Sequence, residues 1–163
     1  AAIPNRPLVL AAKAAVFGVV ALVVGEAAGF IAFFAGGAAL PDGIPAPALG
    51  QPGVLRAVVL GGAGFCLVGL IGLGLGAIIR HTPAAIAVLV GGVYVVAQFV
   101  AAVTHALMAY LPIAIVANSL TVVAPTAEDQ GVFLSPWAGL GMLCLYAAAT
   151  LGIGGWLLAR RDA

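Results

Sequence analysis

The sequence predicts an all-α fold, a polytopic transmembrane helical bundle, on three observations. Four long apolar runs, residues 8–40, 54–79, 84–108 and 137–159, each reach the roughly 20 residues a helix needs to cross a bilayer core of about 30 Å. Each opens at or near a proline and is bordered by basic residues at alternate ends. The chain is 64% hydrophobic and 7% charged, against about 25% charged in soluble domains, and its mean hydropathy is +1.27. A soluble bundle would need helices with polar faces, and these have none.

The first run, 8–40, starts after Pro7 and is too long to lie wholly in hydrocarbon, so it must tilt or project at one end. Residues 41–53 (PDGIPAPALGQPG) carry four prolines and three glycines and read as an irregular loop. The second run, 54–79, has Pro52 just ahead of it, and from Ala57 onward it holds no charge and no Ser, Thr, Asn or Gln. In the third, Thr82 can cap the helix that Pro83 opens; before the fourth, Ser135 stands in the same relation to Pro136. Residues 111–125 (LPIAIVANSLTVVAP) are apolar but too short to span, and predict a re-entrant or interfacial piece between the last two runs. Trp137 and Trp156 stand 19 residues apart, about 28 Å along a helix, which places one in each interfacial belt. The whole length, 1–163, reads as a single transmembrane domain.

Arg6, Lys13, Arg80, His81, Arg160 and Arg161 fall at one set of alternate ends, whereas Asp42, Glu128, Asp129 and the lone cation Arg56 fall at the other. The positive-inside rule makes the first set cytoplasmic, with a cytoplasmic C-terminus in a multi-pass cell-membrane protein. Six basic residues spread over the chain form no patch for nucleic acid.

Enzymatic chemistry finds no footing. The only lysine, Lys13, sits in AAKAA, so no phosphate loop is possible, and no H-E-x-x-H, C-x-x-C or G-x-S-x-G occurs. Cys66 and Cys144 both fall mid-run and read as small apolar fillers rather than a disulfide or metal pair. His81 and His105 would stand roughly 36 Å apart on one helix, too far to share a metal. The expectation is no catalytic, metal or cofactor-binding residue on this chain.

Two polar residues inside the runs stand out. Glu26 lies about 20 Å beyond Lys13 along its helix, and Gln98 about 22 Å beyond Pro83 on a parallel one, so their depths match. A buried carboxyl costs several kcal/mol unless paired or protonated. It serves either an ion or proton path or a hydrogen bond between helices worth ~1 kcal/mol, and Gln98 is the expected partner. Gly69, Gly72 and Gly76, the last two in G-x-x-x-G spacing, predict close helix packing along one side of the second run.

Three segments, PNRPLVLAAKAAVFGVVALVVGEAAGF, LGQPGVLRAVVLGGAGFCLVGLIGLGLGAIIRHTPAAIA and LSPWAGLGMLCLYAAATLGIGGWLLARRDA, appear in order and together resemble the permease subunits of type-2 ATP-binding cassette exporters, closest to the actinobacterial type. The resemblance implies the last four of six spans, with two N-terminal spans and most of a coupling helix absent, and with 111–125 in the place of short outer helices. It also implies that Arg6, Lys13 and Arg80 face the coupling side. The partners would be cytoplasmic nucleotide-binding subunits carrying ATP and Mg, a second permease copy in a homodimer or heterodimer, and membrane lipid. The apolar interior suits lipids, amphipathic drugs or peptides better than sugars. Two other functions fit the same residues: a secondary transporter with Glu26 as an ion or proton relay, and a non-transporting scaffold of four spans.

Overall fold

Backbone polar groups have no water to bind in hydrocarbon, so spanning segments close their hydrogen bonds internally as helices. A computed structural model describes residues 6–41, 43–79, 81–95, 99, 105–122 and 133–160, and every regular element among them is helical. In chain order these are α1 (Arg6–Ala38), α2 (Val54–Ile79), α3 (Thr82–Val90), a π-helical turn (Gly91–Val95), a one-turn helix α4 (His105–Met108), α5 (Pro112–Leu120) and α6 (Pro136–Arg160). Three of them, α1, α2 and α6, are long and apolar enough to cross a membrane. At 33 residues α1 is about 50 Å long, well beyond the hydrocarbon thickness.

The expectation of four spanning helices is corrected here. Among the described residues of 84–108, α3 passes directly into the π turn Gly91–Val95 and helix is described again at His105–Met108, and no single described helix there reaches spanning length. The Tyr146 hydroxyl then donates to the carbonyl of Tyr110 at 2.9 Å. Tyr146 stands ten residues into α6, so the chain at Tyr110 lies about 15 Å from the start of that helix rather than at its end. From this depth α5 runs back out, beside α2 and α6. Within 111–125, where a short re-entrant or interfacial piece is expected, the chain forms a short helix, Pro112–Leu120.

The helix starts follow the prolines. Pro7, Pro112 and Pro136 each sit in a first turn, where a missing N–H costs nothing. Ser135 caps α6 as expected, its Oγ accepting from the Ala138 N–H at 3.3 Å. At α3 the expectation shifts by one residue. His81 is the N-cap, extended and without a side-chain cap bond, and Thr82 is already helical. Gly53 takes a φ of +87° in the turn that delivers the chain into α2, a conformation that glycine adopts freely.

Helix α2 is the hub, packed against α1, α6, α5 and α3. It runs antiparallel to α1, with Gly18 against Leu70, Gly25 against Gly62 and Gly29 against Val58. It runs parallel to α6, with Gly74 against Thr150 and Ala77 against Gly154. In lipid the association of helices rests on close van der Waals contact, which small residues permit. A core forms where the two seams meet α5, built from Ile71, Ile115, Leu143 and Ala147, with Leu67, Leu70, Val116 and Met142 around it. The outer face of α1 exposes Val16, Val19, Val23 and Ile31, a surface suited to acyl chains.

The bundle thus has two ends. Residues 39–41 and 43–53, the start of α2, the end of α5 and the start of α6 lie at one, here the loop end. The start of α1, the end of α2 and the end of α6 lie at the other, here the terminal end, where Leu10 reaches Gly154 and Gly155.

Candidate functional site

Glu26 projects from α1 onto α2 at the closest point of the seam between them. A Cβ built on Gly62 would lie 2.7 Å from Glu26 Cδ and Oε1, and one built on Gly25 would lie 3.0 Å from the Gly62 carbonyl oxygen. The carboxyl lies against the α2 backbone at Gly62 and Ala63, and Oε2 is buried with no partner among the described residues. So Glu26 rests on the backbone of α2 rather than on acyl chains. Gln98, its expected partner, lies outside the described residues. The spacing that makes this seam is Gly25-x-x-x-Gly29 on α1, the same small-residue signal that drew attention to Gly72 and Gly76. Those later glycines do not share a neighbour. Gly69 faces Phe17, Gly72 faces Leu89 of α3, and Gly76 meets nothing within 4 Å.

Beside the seam, toward the loop end, lies an apolar cleft of about 550 Å³. Gly25, Ala28, Gly29 and Ala32 of α1 and Val58, Gly61, Gly62 and Phe65 of α2 form its walls, and Pro47, Leu120 and Val122 its rim. Small residues on both walls create the space. Ligand sites are typically concave, apolar and of this size.

Arg56, near the start of α2, does not line the cleft but reaches the end of α5. Its Nη2 donates to the Thr121 carbonyl at 2.9 Å, just past the end of α5, where helix carbonyls welcome a cation. A Cβ on Gly53 would lie 3.5 Å from Arg56 Nη2 and 3.6 Å from Val122 Cγ1, so the guanidinium borders a residue of the cleft rim. Arg56 Nε is buried without a partner among the described residues. The sequence marked Arg56 only as the cation that breaks the charge asymmetry, and that exception was the signal available.

Polar bonds fasten α5 into place. Asn118 Nδ2 donates to the Leu134 carbonyl at 2.7 Å, Thr121 Oγ1 donates to the Asn118 carbonyl at 2.7 Å, and Ser119, only 2% exposed, donates to Ile115 within its own helix. The cysteines are free, Cys66 buried and Cys144 exposed. Cys66 Sγ donates to the Gly18 carbonyl at 3.3 Å, a filler with a weak bond.

The coupling-side candidates divide. Arg6 is the first residue of α1 and Lys13 is exposed on it, both at the terminal end with Arg160, whose guanidinium lies 4.5 Å from the Trp156 ring. Arg80 lies outside the described residues, as do Asp42, Glu128, Asp129 and Arg161. Among the described residues no three of His, Cys, Asp and Glu gather where they could hold a metal. Comparison with protein-family models, with curated proteins and with solved structures gives no match to this chain.

Proposed function

We propose that this chain is the membrane-spanning permease subunit of an ATP-driven ABC exporter. The observation that supports it is α5, a short helix folded back into the loop end of a bundle of long apolar helices, between the third apolar run and α6. This is where the resemblance to type-2 exporter permeases implies short outer helices. The sequence has no phosphate loop, so ATP and Mg would be held by separate nucleotide-binding subunits. Those subunits would dock at the terminal end, near Arg6 and Lys13 and the cytoplasmic C-terminus of a cell-membrane protein. A second permease copy would complete the assembly. ATP binding and hydrolysis would then drive alternating access. The test is affinity purification of the tagged chain from its own cells, followed by an ATPase assay. A stoichiometric cytoplasmic ATPase should come with it, and the chain alone should hydrolyse no ATP. Export that survives deletion of every such ATPase overturns the reading.

A second reading has its own observation, the unpartnered Oε2 of Glu26 in the middle of α1. An intramembrane acid of this kind suits a proton or ion relay in a secondary transporter. Transport abolished by an uncoupler while ATP levels are held constant would favour it.

A further inference from the structure

We draw no further inference here: the strongest candidate, the apolar cleft between α1 and α2 at the loop end, is lined by no polar or charged side chain, and nothing in the structure shows what covers it.

Discussion

Gly74 sits where α2 crosses α6 most closely, and Gly74→Ala tests whether that crossing holds the bundle together. The added Cβ would lie 2.7 Å from the carbonyl carbon and Oγ1 of Thr150 and 2.8 Å from the backbone nitrogen of Leu151. Backbone cannot rotate away. The Thr150 hydroxyl is held as well, because it donates to the carbonyls of Tyr146 and Ala147. Relief therefore requires α6 to withdraw by roughly 0.7 Å to regain ordinary contact. Overpacking of this kind costs about 1–3 kcal/mol, and alanine returns about 0.5–1 kcal/mol of helix propensity. The net loss is roughly 0.5–2 kcal/mol, or two- to thirtyfold in the folding equilibrium.

The assay is titration of the micellar chain with sodium dodecyl sulfate, followed by circular dichroism. Gly76→Ala is the internal control. It lies on the same helix and meets nothing within 4 Å, so it should match the parent or exceed it. A Gly74→Ala variant as stable as Gly76→Ala would refute the packing argument. Gly154→Ala probes the same crossing from the other side, 2.9 Å from Ala77 Cβ, so the double variant should cost less than the two single losses added.

Glu26→Gln should keep the folded midpoint or raise it, because the amide retains a polar contact with the α2 backbone at Ala63 and removes a charge from hydrocarbon; a loss above about 2 kcal/mol in the same titration would show that the charge itself is structural. Asn118→Leu should cost roughly 1 kcal/mol by breaking the bond to Leu134, whereas Ser119→Ala, whose hydroxyl bonds only within α5, should cost less than half of that, both read by thermal unfolding. In detergent a maleimide should modify Cys144 and spare Cys66, as mass spectrometry of the intact chain would report. An impermeant maleimide on intact cells should label a cysteine placed at 44 and not one at 81; the reverse pattern would invert the assigned orientation.

The three long helices were legible because their cause is local. Residues 54–79 are apolar at every position but Arg56, and the element spans that stretch from end to end. The caps at Pro136 and Ser135 were legible for the same reason. The third apolar run misled because hydropathy counts residues and does not register direction. Residues 84–108 are apolar enough to cross, yet a π turn follows α3 at Gly91–Val95, and the hydrogen bond from Tyr146 sets Tyr110 beside the middle of α6 rather than its end. That bond joins residues 36 apart, and no window of sequence contains it.

The candidate site shows the same division between local and distant causes. A carboxyl inside an apolar helix identified Glu26 at once, but the seam beside it was not, because close packing was expected at Gly69, Gly72 and Gly76 and the Gly25-x-x-x-Gly29 spacing was passed over. The cleft was not legible, because it is made by what the facing residues lack. Gly61 and Gly62 on α2 open a volume only when Gly25, Ala28 and Gly29 of α1 stand opposite. Arg56 escaped notice for a related reason. Its meaning depends on Thr121, 65 residues away, whose carbonyl accepts from the guanidinium just past the end of α5. The loop end is accordingly tied by polar bonds through Arg56, Asn118 and Thr121. The terminal end instead leaves an apolar gap of about 380 Å³ between Leu10, Ala11 and Ala14 of α1 and Leu151, Gly152 and Gly155 of α6. Displacing α1 from α6 there breaks no hydrogen bond among these described residues, whereas parting α5 from its neighbours at the loop end breaks the bonds of Arg56 and Asn118.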